Sequence, residues 1–226
     1  SGLWTSLRKR PFSKIPSIEE VPSSIFINAM DTNPLSIDPE LVISLNKEHF
    51  YRGIEILKRL TEGKVYICAS TNSSIEIEGN SQLEKHIFSG PHPAGLSGTH
   101  MHFISPPTLT NINWHISYAD VISFGEFFSS GKLPTKKYIS LAGPQVEDPK
   151  IFLTRIGAST DEICNGELKP ADNRVISGSV IGGKEAIGAF AYLGKYHNQI
   201  SVIEEASPED RELFDWGRLG FNRYSF

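Results

Sequence analysis

Two short apolar runs, Ser24–Met30 (SIFINAM) and Lys64–Ala69 (KVYICA), bracket one stretch with helical periodicity, and this constrains the fold more than any other feature of the chain. Each run reads as a buried strand. Between them a helix is expected from about Lys47, with Asn46 as N-cap, Glu48 in the first turn, Phe50, Ile54 and Leu57 on one face, and Gly63 as terminator. The stretch after the first run, DTNPLSIDP, holds Pro34, Pro39 and three Asx residues, and reads as turns. Strand, helix and strand with short connections make a right-handed βαβ unit, the seed of a parallel sheet.

The same logic extends along the chain. His86–Ser89 and Asn113–Tyr118 are further strand candidates, and Ser117 with Asp120 is spaced as a capping box. Val121, Phe124 and Phe128 then form a helical stripe ending at Gly131. Residues 1–135 are therefore expected to be a doubly wound α/β domain, with 1–23 an irregular lead-in. The character changes at Leu133-Pro134-Thr135. Strands at Tyr138–Ala142, Ile151–Thr154, Arg174–Ser179 and Gln199–Ile203 surround one short helix, Thr160–Cys164, capped by Ser159 and stopped by Asn165-Gly166. That α+β pattern over 136–206 fits a β-grasp. Ser207-Pro208 starts a helical tail over 207–226, with Pro at the first helical position.

Composition narrows the function. With 22 Lys+Arg against 26 Asp+Glu among 226 residues, the formal charge is −4, which lacks the basic excess that nucleic acid or an anionic membrane surface would need. No apolar run approaches the ~18 residues of a membrane span, so the polypeptide is expected to be soluble by itself. Cys68 and Cys164 cannot build a disulfide framework, no signal peptide is visible, and the reducing cytosol is the default. The Met-less start at Ser1 and the apolar ending at Phe226 suggest a piece of something longer.

Four constellations could carry chemistry. Gly178 to Glu185 matches the phosphate-loop pattern until its last position, where Glu185 replaces the hydroxyl that holds Mg²⁺; a hairpin loop is the expected reading. His92, His100 and His102 sit in GPHPAGLSGTHMHF. If 99–103 is extended, His100 and His102 share a face, as a metal site or polar pocket could use, although hydrogen-bonded histidines in a packed turn are the blander reading. No metal is expected. No nucleophile elbow and no Cys–His motif is present, so no catalytic residue is named. Arg8-Lys9-Arg10-Pro11 could grip a phosphate or an acidic partner, or be a solvated face. Dinucleotide binding would require G-x-G-x-x-G between strand and helix, and none occurs.

Seven stretches in order, GLWTSLRKRPFSKIP, FINAMDTNPL, LTEGKVYICAS, GPHPAGLSGTHMHF, WHISYADVISFGEFFSSGKL, SLAGPQVEDPKIFLTRIGAS and RVISGSV, resemble the NqrA family of sodium-translocating NADH:quinone oxidoreductases across essentially the whole chain. The resemblance implies a Rossmann-like domain followed by a soluble-ligand-binding β-grasp (SLBB) domain, the middle of a longer polypeptide. The wider group includes the flavin- and NADH-binding subunit of complex I and the electron-transfer protein RnfC, whose Gly-rich opening loop approaches the flavin phosphate. Here that stretch carries Trp4 and Leu7 and no glycine after Gly2, so flavin mononucleotide is not expected to bind in the same way.

No cofactor is expected on this chain. The complex would hold NADH, flavins, an iron-sulfur centre and ubiquinone while exporting Na⁺. The resemblance further implies a peripheral place on the cytoplasmic face of the bacterial inner membrane, with the membrane subunit NqrB and the other subunits as partners and a role in forming the quinone site. Candidate quinone contacts are Met30, Asp31, Asn33 and Pro34, at the C-terminal end of the first sheet strand where open α/β sheets bind ligands, with His92, His100 and His102 as a second set. The alternatives are a free-standing flavin- or nucleotide-binding module and a pure scaffold.

Overall fold

The computed structural model describes residues 2–77 and 81–205. Strands β1 (Arg8–Lys9), β2 (Ser24–Ala29), β3 (Lys64–Ser70), β4 (Leu83–Phe88) and β5 (Asn113–Ser117) form one sheet in the order β1-β5-β2-β3-β4. The last four are parallel, and β1 lies antiparallel on the edge against β5. From β4 inward this is the 3-2-1-4 order of a mononucleotide-binding half, with its switch point between β2 and β5.

Strict alternation along the strands divides their side chains between two layers. Ile25, Ile27 and Ala29 of β2, Val65, Ile67 and Ala69 of β3, and Trp114 and Ile116 of β5 join one core with helices α1 (Pro39–Leu45), α2 (Lys47–Lys58) and α4 (Tyr118–Ser130). Phe26 and Cys68 face the other way and meet Met101 of α3 (Ser97–Ile104). Helices thus cover both faces, as a doubly wound sheet requires.

The expected βαβ unit is present, with corrections. Helix α1 starts at the last residue of the segment read as turns and fills the stretch before Asn46 for which no element was expected: Asp38 caps it by accepting the Glu40 N–H at 3.0 Å, and Pro39 takes the first helical position. Asn46 does not cap α2; its side-chain amide donates back to Val42 O at 2.9 Å, closing α1. Helix α2 ends at Lys58, short of Gly63, whose absent side chain serves a close approach instead: a Cβ there would sit 1.9 Å from Ser23 O. At α4, Ser117 Oγ accepts the Asp120 N–H at 3.2 Å and Gly131 closes the helix at φ 70°. Within that helix Phe128 is 56% exposed, and Phe127 packs on the core in its place.

The second sheet contains β6 (Lys136–Ala142), β7 (Lys150–Arg155), β8 (Asn173–Ser177), β9 (Lys184–Glu185) and β10 (Gln199–Glu204), in the order β7-β6-β10-β8-β9. Only the central β6–β10 pair is parallel. The short helix α5 (Thr160–Cys164), capped by Ser159, lays Ile163 and Cys164 against Ile139, Leu141, Ile200 and Val202. A mixed sheet with one helix across it is the β-grasp arrangement. The helix expected from Ser207 lies outside the described residues. Among those described, no helix is long and apolar enough to cross a membrane.

Helices α2 and α4 cross at glycines: a Cβ on Gly125 would fall 1.8 Å from His49 O, and one on Gly53 would fall 2.1 Å from Val121 O. Because backbone stands on the other side, no rotamer change relieves the clash. Gly125→Ala should lower stability by ~2 kcal/mol or more, read as a reduced urea midpoint. Gly182→Ala, which meets open space, should stay within ~0.5 kcal/mol of the parent.

Candidate functional site

β2 ends at the switch point of the first sheet, and residues 30–36, which follow it, run onto the second sheet. Gln199, 3% exposed, donates from Nε2 to Pro34 O at 2.8 Å, and Ser140 Oγ donates to Leu35 O at 2.8 Å. Two consecutive carbonyls of one domain are thereby held by two side chains of the other. Leu35 sits at φ 63°, a left-handed conformation costing a branched side chain ~1 kcal/mol. A second tether comes from the chain's opening: Arg8 Nη2 donates to Tyr196 OH at 2.7 Å, Tyr196 OH donates to Thr5 O at 2.8 Å, and Lys195 Nζ donates to Thr5 Oγ1.

Between these tethers lies a cavity of about 390 Å³, with Asp31, Asn33 and His92 on one wall and the Gly178–Gly182 loop, Tyr196 and His197 on the other. Asp31 Oδ1 accepts from the Asn33 backbone N–H at 2.9 Å and from its side-chain amide at 2.7 Å, so the carboxylate organises its own turn. Thr32 Oγ1 stands 3.2 Å from His92 Nδ1 and accepts the Gly95 N–H at 3.0 Å, while Asn28 Nδ2 donates to Gly95 O at 2.8 Å. These bonds lock the loop carrying His92 to the end of β2. On the opposite wall, Ser177 Oγ accepts the Gly194 N–H and has its own hydrogen left for His197 Nδ1, 2.9 Å away. Burial, with Lys137 and Lys184 adding to it, lowers the His197 pKa and favours the neutral ring.

The structure divides the seven expected quinone contacts. Asp31, Asn33 and His92 meet at the cavity. Met30 is 5% exposed, part of the core behind them, and Pro34 is engaged as the domain peg. His100 and His102 lie on helix α3 rather than on extended chain, so residues two apart point to opposite sides. His100 is fully buried, donates from Nε2 to Ala94 O at 2.8 Å, and packs on Phe88 with ring centroids 4.3 Å apart; His102 is exposed. Shared-face metal ligation is therefore not available to them, and no cluster of three potential metal ligands occurs among the described residues.

Sequence reasoning did not name Tyr196 or His197 as site residues. Their signal was the phosphate-loop look-alike opposite them, which is the expected hairpin loop between β8 and β9. Gly178 adopts φ 101° there, and a Cβ would press to 3.1 Å from the His197 ring. The glycine serves the approach of an imidazole, not of a phosphate.

A second cavity of about 240 Å³ lies on the other side of the junction, where Tyr118, Asp120 and Lys137 meet His49 and Tyr138. Burial takes the Lys137 ammonium down to about 8, with Asp120 opposing the shift and Lys195 adding to it; its Nζ donates to Lys195 O at 2.6 Å. Both thiols are inert. Burial alone raises Cys68 to about 12, and burial with Asp161 and Glu167 raises Cys164 to about 11. In the opening segment Leu7 is fully buried, and Trp4 stands edge-on to Trp114 at 5.7 Å while its indole N–H donates to Pro16 O.

A 3-2-1-4 parallel sheet without a phosphate-binding glycine loop, joined to a β-grasp, defines a nucleotide-fold scaffold carrying an SLBB-type module. Residues 1–133 match the family model described as "NqrA second alpha/beta domain", and residues 138–187 match the one described as "NQRA C-terminal domain". The chain belongs to the NqrA family. It is 52% identical over 225 residues to the NqrA subunit of the Na(+)-translocating NADH-quinone reductase of Vibrio campbellii and 49% identical to that of Saccharophagus degradans, covering 100% of this chain and 50% of each of those proteins. The chain thus spans about half the length of the curated relatives it matches. Among solved structures, an NAD+-reducing [NiFe]-hydrogenase in the H2-reduced state superposes with a TM-score of 0.58 at 11% identity, over 82% of this chain and 41% of that one, a likeness of fold alone.

Three desolvated histidines set the acid limb of stability. Burial, reinforced by Arg10 and Arg8, takes His115 to about 4, and burial also lowers His100 and His197. The unfolded chain protonates these rings near 6.5 while the folded chain does not, so stability falls as pH drops from about 6.5 towards 4. His115 alone should account for ~3 kcal/mol of that loss. Urea unfolding at pH 7 and pH 4.5 checks this, and His115→Gln should flatten the difference.

Proposed function

We propose that this chain is the Rossmann-like and SLBB portion of a cofactor-free, peripheral subunit of a Na⁺-translocating NADH:quinone reductase, placed on the cytoplasmic face against the membrane subunit NqrB. In this role it helps form the region where quinone is reduced, while NADH oxidation, flavin and iron-sulfur electron transfer and Na⁺ export belong to other subunits. The observation that carries the reading is 52% identity, over the chain's whole length, to a relative named as the NqrA subunit of that enzyme. The side-chain-filled opening segment supports a chain that does not hold flavin, since Trp4 and Leu7 are packed into the first core.

The quinone contact is assigned to the junction cavity, which gathers an amide, a carboxylate and two imidazoles around a space of about 390 Å³ at the switch-point end of the sheet. Quinone carbonyls accept hydrogen bonds, and Asn33, His92 and His197 are among the lining groups able to donate them. Asp31 positions Asn33 through its two hydrogen bonds.

Equilibrium titration with a short-chain ubiquinone analogue, FMN and NADH tests both parts. Weak analogue binding, reduced roughly tenfold by Asp31→Ala, is expected, as removal of a charged hydrogen-bond acceptor would produce. Micromolar binding of FMN or NADH would overturn the cofactor-free reading in favour of a nucleotide-binding module. For the partner, co-purification of the full-length NqrA protein with NqrB is expected; failure to associate removes the docking role.

A further inference from the structure

The basic run at the opening of the chain is not a uniform solvated face. Lys9 points to one side and pairs with Glu20. Arg8 and Arg10, one residue to either side, project to the opposite face of β1, the face covered by α3. Arg8 stands opposite His115 in the antiparallel β1–β5 register, and His115 in turn lies beside Phe26, which packs against α3. Arg8, Arg10 and His115 therefore form one cluster of nitrogen donors.

That cluster lacks an anion: the Tyr196 hydroxyl takes one Arg8 N–H, and no carboxylate pairs with either arginine among the described residues. Arg10 Nε and His115 Nε2 are both buried, and neither has a hydrogen-bond partner among the described residues. Arg8 uses one amino group on the Tyr196 hydroxyl and lays its guanidinium over that ring at 4.8 Å, but neither arginine forms a salt bridge among the described residues. Leaving a buried donor unmade costs ~1–3 kcal/mol, and more for a charged group. Two guanidinium groups facing the same imidazole add mutual repulsion. Such an arrangement is stable when an anion supplies the missing acceptors.

The neighbouring backbone completes the donor set. Arg10 Nη2 lies 3.8 Å from where a Cβ on Gly98 would sit, in the first turn of α3. That helix begins after Leu96 with no side-chain cap; the Thr99 N–H turns back to Leu96 O, and the Ser97 and Gly98 N–H groups have no partner among the described residues. The donors come from three separate elements, the edge strand with the residue that follows it, the neighbouring strand and a helix end. A planar carboxylate presents two oxygens in one plane, whereas a tetrahedral phosphate presents three or four to diverging donors.

We propose that Arg8, Arg10, His115 and the first turn of α3 form a binding site for a phosphate group. The site opens beside the junction cavity, since Tyr196, which holds Arg8, and Leu96, which precedes α3, both line that cavity. It does not depend on the quinone reading, because none of its donors belongs to that contact set.

The test is thermal unfolding of the full chain in inorganic phosphate against sodium chloride at matched ionic strength, with the dissociation constant taken from ³¹P NMR. Phosphate is expected to raise the midpoint, and Arg10→Gln to weaken binding at least tenfold. Arg10→Lys, which keeps the charge but loses the fork, should fall between, and Lys9→Gln, on the other face, should bind as the parent does. The His115 ring ¹⁵N signals should move on phosphate addition, a local readout that a general salt effect would not produce. Tighter binding of glycerol 3-phosphate than of inorganic phosphate assigns the site to a phosphate ester, and equal binding assigns it to the free anion. No phosphate-specific stabilisation, or equal losses in Lys9→Gln and Arg10→Gln, overturns the proposal.

Discussion

The capture of two consecutive carbonyls, Pro34 O by Gln199 and Leu35 O by Ser140, is the interaction on which the arrangement of this molecule rests. Both donors come from the second sheet, and both acceptors from the segment that leaves the central strand of the first. Gln199 also donates to Ser201 Oγ, which in turn donates to Gly178 O, so the peg is continuous with the hairpin loop forming the far wall of the cavity. The backbone accepts a left-handed Leu35 to present these carbonyls, a strain that the buried hydrogen bonds offset. Together with the Arg8–Tyr196–Thr5 tether, this contact makes the two surfaces the walls of one cavity.

What the junction encloses follows from the fold's inheritance. A 3-2-1-4 sheet has a crevice where β2 and β5 diverge, and in nucleotide-binding proteins a glycine loop brings phosphate to it. Here the opening segment has no such loop and packs Trp4 and Leu7 into the first core, while the β-grasp lies against the segment that follows β2. The crevice survives as two smaller spaces, one polar around Asp31 and His197, and one around Lys137 and Tyr118. His197 lines the first of these spaces and Lys137 the second, and burial lowers the pKa of both.

Legibility varied with the range of the interaction involved. The runs SIFINAM and KVYICA, and the caps Ser117–Asp120 and Ser159–Glu162, were readable because alternation and capping act within a few residues. Helix α1 escaped although Asp38-Pro39 is a start signal, since the same Asx and Pro residues also make turns. The histidines of α3 were read as a packed turn or, conditionally, as extended chain for a similar reason: Ser97 to Ile104 carries no strong stripe, and its helix is held by Met101 on Phe26 and Cys68 and by His100 on Phe88. Of the expected contact residues, those whose side chains fall at the domain gap came together, and those adjacent in sequence but turned inward did not.

By itself the sequence determined the strand–helix–strand unit from SIFINAM to KVYICA, the capped starts of α4 and α5, and the lack of a G-x-G-x-x-G loop, because these depend on local propensity and on side-chain size. Tertiary structure alone decided that Tyr196 and His197 face Asp31 and His92, and that Arg8 and Arg10 turn away from Lys9 towards His115. Those groups are separated by scores of residues, and their approach is set by strand register and domain docking, which are written in complementary surfaces rather than in any local pattern.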